Sequence, residues 1–287
     1  MHIPVLLKEV LKAFEGLSLK TYADLTLGAA GHAFAILEAH PEIECFIGLD
    51  QDPFALALAK AKLAPFGSKV QLFHSNFCHI KAIIKAQGPH FDGIFADLGV
   101  SSMQLDQAIR GMSFSKLGPL DMRMDPSDSL TAAEIINRYP EDKLSFIFRE
   151  WGEEPAWRKA AKAVVEARKK KRFVTTLDLV EVLLKICIRK PGIHPLTRVF
   201  QGLRIATNKE LDVLERLLEE SDDLLAEGGR IAIISFHSLE DRLVKQKFRQ
   251  KSLLKIITKK PLIAEDIEIA LNPRSRSAKM RVAERIL

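Results

Sequence analysis

The sequence predicts an α/β protein: a doubly wound, Rossmann-like parallel sheet with a helical segment inserted into it. Three observations point that way. Short apolar runs alternate with helix-forming stretches from Tyr22 to Asp97, two of these runs end on an acidic residue (Asp50 and Asp97), and the alternation stops after Asp97 and resumes near Asn208. Regular βα alternation implies parallel strands covered by helices on both faces.

The elements follow in order. Between Pro4 and Phe14, Leu6, Leu7, Val10, Leu11 and Phe14 fall at helical spacing and give one apolar face. Tyr22 to Leu27 reads as the first strand, Gly28 to Gly31 as a turn of small residues, His32 to Ala39 as a helix and Cys45 to Leu49 as the second strand. Asp52 is an N-cap with Pro53 at the first helical position, where its missing N–H costs nothing. Val70 to Phe73, His79 to Ala86 and Phe91 to Ala96 give a third strand, a helix and a fourth strand. The next stretch is rich in Gly, Ser and Met, and is followed by helices at Ala132 to Asn137, Asp142 to Glu150, Ala156 to Lys170 and Leu177 to Cys187. Asn208 to Ala226 reads as one long amphipathic helix stopped by Gly228 and Gly229, with a strand at Arg230 to Ile234. Ser238 is expected to cap the helix after it, with Asp241 in the capping-box position. Short strand pieces around Ile256 and Val282 flank a loop from Asn272 to Ser277. The expected domains are 1–103 with 207–287 for the sheet, and 104–206 for the insertion.

Composition excludes several classes. The chain has 287 residues, 47% hydrophobic and 28% charged, as in ordinary globular proteins. No apolar run approaches a membrane span, and Lys8, Glu9 and Lys12 interrupt the N-terminal apolar segment, so a cytoplasmic location is expected. Cys45, Cys78 and Cys187 sit at unrelated spacings, which indicates neither a disulfide framework nor a metal site. The net charge of +6 is unevenly spread. Residues 104–206 hold 19 basic and 13 acidic residues, and Arg242 to Leu287 holds 13 basic and four acidic. Two basic zones suggest a polyanionic partner, although the run Arg168 to Arg172 read alone is equally a solvated helix end.

In an open parallel sheet, ligands sit at the carboxyl ends of the strands near the switch in strand order, where the turn 28–32, Asp50 and Asp97 fall. Asp50 lies 19 positions after Gly31, in the place of an acid that reaches ribose hydroxyls. The alternative for the turn is a tight bend whose glycines serve helix–sheet packing. The three-glycine dinucleotide spacing is absent, which disfavours a nicotinamide cofactor. S-adenosylmethionine fits better, since it has no pyrophosphate to cradle and brings ammonium and sulfonium charges that acids such as Asp24 or Asp97 can face.

The chain also resembles a known family, the ribosomal RNA small subunit methyltransferase H family. The similarity spans nearly its whole length. It is carried by residues 2–7 (HIPVLL), 97–102 (DLGVSS), 118–125 (GPLDMRMD), His194 and Pro195, Thr197 and Arg198, Phe200 and Gln201, 203–205 (LRI), 235–242 (SFHSLEDR), 272–274 (NPR) and 276–279 (RSAK). The resemblance implies a class I S-adenosylmethionine-dependent methyltransferase with a helical domain inserted after the fourth strand. It also implies methylation of N4 of a decoding-region cytidine in 16S rRNA. The family's donor-binding positions map onto Ala30, Gly31, His32, Asp50, Phe77, Asp97 and Gln104. The family pattern is G-x-G-G-H in the turn and Pro after the Ser pair, whereas this chain has Ala29-Ala30 in the turn, with Ala30 in place of a glycine, and Met103 in place of Pro. If position 30 requires a positive φ, Ala strains the turn.

An exocyclic amine of cytosine is a weak nucleophile because its lone pair is delocalised into the ring, so it needs alignment and a hydrogen-bond acceptor. Asp97 is the candidate for that role, the alternative being a group that only binds the donor. Ser101, Ser102 and Gln104 would hold the base or order the loop, and His237 would face the cavity or cap a helix. Lys169, Lys170, Lys171, Arg172, Arg274 and Arg276 are the expected RNA contacts, with the small ribosomal subunit as partner and no metal. Two other classes, a nicotinamide-dependent oxidoreductase and a non-catalytic RNA-binding protein, explain only part of the pattern.

Overall fold

The computed structural model describes residues 4–85, 90–187 and 194–286. His2, Ile3 and Ala86 of the expectations above lie outside them. The chain divides into two compact units, Met1–Gly99 with Leu211–Leu287, and Val100–Glu210.

In the first unit, α1 (Leu7–Phe14), β1 (Thr21–Asp24), α2 (Gly31–Ala39), β2 (Cys45–Asp50), α3 (Pro53–Leu63), β3 (Val70–His74), α4 (Ile80–Lys85) and β4 (Phe91–Asp97) alternate as the apolar pattern requires. The second unit supplies α5 (Ser102–Asp106), α6 (Ala132–Arg138), α7 (Glu141–Phe146), α8 (Trp157–Lys170), α9 (Thr176–Leu183) and α10 (Thr197–Asn208). The chain then returns through α11 (Glu210–Leu224), β5 (Leu225–Ser235), α12 (Ser238–Gln250), β6 (Leu254–Ile256), α13 (Asp266–Leu271) and β7 (Lys279–Arg285). Among the described residues the sheet has seven strands in the order β3-β2-β1-β4-β5-β7-β6, and strand order reverses at the β1/β4 neighbour pair. β1 to β5 are parallel, whereas β7 runs antiparallel to both β5 and β6.

Successive side chains of a strand point to opposite faces, and both faces are apolar. Tyr22, Phe46, Phe95 and Ala232 enter one buried cluster with α1 and α2 residues, and Ala23, Ile47, Ile94 and Ile231 enter another with α11 and α12 residues. The second unit has its own core, in which Leu144, Phe148, Val164, Leu179 and Leu203 are buried together. No helix of the described residues is long and apolar enough to cross a membrane.

The structure corrects several expectations. β1 ends at Asp24 rather than Leu27: the Thr26 N–H turns back to the Asp24 carboxylate at 3.1 Å and interrupts the regular ladder, although the Leu25 and Leu27 N–H groups still donate to the Phe95 and Leu49 carbonyl oxygens. α10 was not foreseen as a helix, and the expected helix 208–226 is instead broken at Lys209, which takes a left-handed conformation between α10 and α11. α11 ends at Leu224, four residues short of the glycines, which lie within β5. Gly228 has φ +74°, and a Cβ on Gly229 would sit 2.7 Å from the Phe91 carbonyl oxygen, so the pair accommodates the irregularity where β5 meets β4. The cap of α12 is His237 with Glu240, one residue earlier than expected: Glu240 N–H donates to His237 Nδ1 at 3.4 Å, and Glu240 Oε2 accepts the His237 N–H at 3.3 Å.

Candidate active site

The carboxyl ends of β1, β2 and β4 place Asp24, Asp50 and Asp97 along one edge of the sheet, beside the reversal of strand order. The turn before α2 lies at the same edge. Gly28 has φ +53°, and Ala30, the residue before α2, is left-handed at φ 56° and fully buried. A side chain in that region carries a steric cost of roughly 1–2 kcal/mol, so the strain foreseen for Ala30 is present in the fold. Gly31 is needed for a different reason: a Cβ there would approach Pro4 Cγ to 2.7 Å.

Asp50 is fixed by the backbone on both sides. Its Oδ2 accepts the Gly28 N–H at 2.7 Å and its Oδ1 accepts the Asp52 N–H at 2.8 Å. Each carboxylate oxygen offers two acceptor sites, so these bonds orient the group while leaving capacity for hydroxyl donors. Burial raises the Asp50 pKa above the usual carboxylate range, and the two amides oppose that shift. Phe77 follows β3 on the first turn after Asn76, whose side chain accepts from Cys78 N–H and donates to Gln51 Oε1 at 3.0 Å. It is half-buried on the apolar face containing Leu49 and Ile80.

Asp24 and Asp97 are electrostatically strained. Burial raises Asp24 to a pKa of about 7, opposed by the Thr26 amide and reinforced by the charge of Asp50. Burial, followed by the charges of Asp24 and Glu240, pushes Asp97 well above the ordinary carboxylate range. The Asp97 N–H donates to Thr26 Oγ1 at 2.5 Å, tying the ends of β1 and β4 together, while Asp97 Oδ1 is buried with no hydrogen-bond partner. His32 stands beside it: the ring packs on Phe95 at 4.7 Å, Nε2 lies 2.8 Å from the Val5 carbonyl oxygen and Nδ1 lies 3.9 Å from Asp97 Oδ2. Since a carbonyl only accepts, Nε2 carries a proton. A buried carboxyl oxygen without a donor costs about 1–3 kcal/mol, and a group bearing positive charge or N–H donors at this edge would relieve that cost.

The remaining expected residues have other neighbours. In the second unit Gln104 closes a capping box, its Oε1 accepting the Ser101 N–H at 3.0 Å and its own N–H donating to Ser101 Oγ at 3.2 Å, so this pair orders the start of α5. His237 is a helix cap, as described above. Lys169 pairs with Glu166 at 2.7 Å, Lys171 with Asp178 at 2.6 Å and Arg172 with Glu134 at 3.0 Å, the three cations being exposed while Asp178 and Glu134 are partly covered. Arg168 donates to the Ile136 and Tyr139 carbonyl oxygens at the end of α6, and Lys170 is exposed. Arg274 and Arg276 are exposed on a short 3₁₀ turn, Pro273–Ser277. The motif 118–125 is a folded loop: Arg123 grips Asp121 through two nitrogens at 2.8 and 2.7 Å, and Asn208 of α10 bonds Met122 O and Met124 N.

Sequence reasoning overlooked Thr26 and the Val5–His32–Asp97 arrangement. Nothing local marks either, because the partners are joined only by adjacency of β1 to β4 and by the path of the N-terminal segment.

A parallel sheet of order 3-2-1-4-5, extended by an antiparallel seventh strand and carrying acids at the ends of its first, second and fourth strands, defines a class I S-adenosylmethionine-dependent methyltransferase. Residues 1–286 match the model of the MraW methylase family, and the chain belongs to that family. Its cofactor is S-adenosylmethionine, which sets aside the nicotinamide alternative. Similar full-length proteins include two named "Ribosomal RNA small subunit methyltransferase H". The one from Protochlamydia amoebophila is 49% identical, covering 99% of this chain and 97% of that protein. The one from Cyanothece sp. is 48% identical, covering 100% and 95%. Among solved structures the likeness is remote: TrmN from Thermus thermophilus aligns at 12% identity and a TM-score of 0.47, over 98% of this chain and 48% of that one.

Proposed function

We propose that this protein transfers the methyl group of S-adenosylmethionine to N4 of a decoding-region cytidine in 16S rRNA of the small ribosomal subunit, in the cytoplasm. The observation that carries the reading is identity of nearly one half, along the whole chain, to proteins named for methylation of small-subunit ribosomal RNA. The buried, partnerless oxygen of Asp97 supports an amine as the acceptor.

When bound, S-adenosylmethionine supplies a methyl carbon on a sulfonium that departs as a neutral thioether. The chain's residues do the rest. Asp50, held by two amides, accepts from the ribose hydroxyls, and the turn through Ala30, Gly31 and His32 admits the donor close to the backbone. Phe77 and Gln104 would complete the donor-binding set that the family resemblance gives. Positive charge on the donor favours the ionised forms of Asp24 and Asp97, reversing the effect of burial. Asp97 then accepts a hydrogen bond from the cytidine amine, aligns its lone pair, and takes the proton released as the N–C bond forms. Lys169, Lys170, Lys171 and Arg172 with Arg274 and Arg276 contact the RNA backbone. The Lys169–Glu166 pair, exposed on both sides, is worth only about 0–1 kcal/mol and exchanges readily for phosphate, whereas Lys171 and Arg172 pair with more covered acids, Asp178 and Glu134.

The test is transfer of labelled methyl from the donor to small ribosomal subunits that lack the modification, followed by digestion and identification of the labelled nucleoside. Label in N4-methylated cytidine is expected. Label in another nucleoside overturns the choice of acceptor, and absence of transfer leaves the non-catalytic RNA-binding reading.

A further inference from the structure

Helix α12 and its C-cap residue Lys251 carry two pairs of cations at i,i+4 spacing, and the structure treats them differently. Lys247 and Lys251 point at the acids of α11: Lys247 lies 2.7 Å from Glu215 and 3.0 Å from Glu219, and Lys251 is paired with Asp222. Their side chains are correspondingly covered, with 18% and 21% of the surface exposed. Lys245 and Arg249 occupy another face. Both are exposed, and among the described residues neither has an acidic partner within 4.0 Å. Like charges at this spacing destabilise a helix by about 0.2–0.5 kcal/mol, a cost offset in part because Arg249 lies in the last turn of α12, where a cation is favoured.

Those two cations border a groove of about 320 Å³ between α12 and the chain around β6. Phe248 and Ile256 form its apolar part, and Lys259 completes the cationic rim, exposed and likewise without an acidic partner among the described residues. Arg281 also lines it, but its guanidinium is committed to Asp241, with nitrogens at 2.7 and 3.3 Å from the carboxylate, and so contributes rigidity rather than free charge. Among the described residues no Asp or Glu lines the groove. A concave surface with three unneutralised cations and no acid is complementary to closely spaced anions, and phosphodiesters are the anions of the proposed substrate.

We infer that Lys245, Arg249 and Lys259 form a second RNA-backbone clamp on the sheet-bearing unit, separate from the basic run of the inserted unit. The inference rests on the proposed ribosomal RNA substrate and adds to it a docking surface. Contacts of this kind hold phosphates without reading bases, so the clamp sets affinity and register rather than the choice of nucleoside.

The experiment compares wild type, the triple variant Lys245→Gln/Arg249→Gln/Lys259→Gln and the control Lys247→Gln/Lys251→Gln, using a 16S rRNA fragment that spans the decoding region. All substituted residues of the triple variant are exposed, and circular dichroism with donor titration verifies that each protein is folded. Three lost phosphate contacts reduce the slope of log K against log salt by about 2 and the affinity at 0.1 M salt by about a hundredfold. KM for RNA should rise while donor affinity stays at the wild-type value. The control removes two charges from the same helix and should leave the slope within one contact of wild type. An unchanged slope in the triple variant overturns the inference, as does an equal loss per charge in the control, which would reduce the effect to net charge. Failure of the wild-type protein to bind either the fragment or small ribosomal subunits that lack the modification would instead remove the proposed substrate.

Discussion

Replacing Asp24 by Asn tests the electrostatics of the site in a single measurement. The carboxyl is buried, and its pKa rises from 3.8 to about 7 on folding. Between those values the folded chain keeps a proton that the unfolded chain has lost. The stabilisation from this group is therefore complete below about pH 4 and is withdrawn as pH rises to about 7. Above that pH, a shift of about three units amounts to roughly 4 kcal/mol of cost for holding the ionised group in the fold. Asn is neutral throughout and retains an oxygen to accept the Thr26 N–H, as the carboxylate does. Asp24→Asn should raise the stability of the donor-free protein by up to about 4 kcal/mol at pH 8 and by only about 1 kcal/mol at pH 4.5. Urea unfolding at half-unit pH steps between 4.5 and 8.5 reads the difference directly. A gain that does not vary with pH would refute the reasoning, because it would mean that Asp24 ionises as freely in the fold as in the unfolded chain. The same logic makes wild-type donor binding release protons near neutral pH, which calorimetry in buffers of different ionisation enthalpy detects and the Asn variant should diminish.

Three further outcomes follow from the same geometry. Asp50→Ala should weaken donor binding by about 1.5–3 kcal/mol, the range for hydrogen bonds to a charged group, and unchanged affinity by calorimetry would remove Asp50 from the site. Asp97→Asn keeps the shape but loses the acceptor charge, so single-turnover rates at saturating donor should fall at least about tenfold, with a smaller change in donor dissociation constant. A normal saturated rate would leave Asp97 as a binding group only. Replacing Lys169, Lys170 and Lys171 together by Gln should lower RNA affinity and flatten its salt dependence while sparing donor binding; an unaltered slope would return that run to a solvated helix end.

Much of the catalytic edge was legible because its signals are local. A strand of alternating or continuous apolar residues that stops on an acid is readable within six or seven positions, and so Asp50 and Asp97 could be placed at strand ends from the sequence. The capping residue Asp52 with Pro53 is local too, and the structure retains it, with Phe54 N–H donating to Asp52 at 3.1 Å. Helix α10 was missed for the complementary reason. Its buried residues Val199, Phe200, Leu203 and Ala206 are interleaved with Gln201 and Arg204, and the helix is fixed by packing in the core of its unit rather than by propensity.

The sequence by itself determined the βα rhythm, the interruption after Asp97 and the identity of the acids at the strand ends. Only the tertiary structure decided their charge states. Asp24 and Asp97 lie 73 positions apart, and Glu240 lies further still along the chain. They influence one another because β1 lies next to β4, β4 lies next to β5, and the helix after β5 is capped at the same edge. Burial and the proximity of like charges are properties of that assembled edge, and no window of the chain contains them.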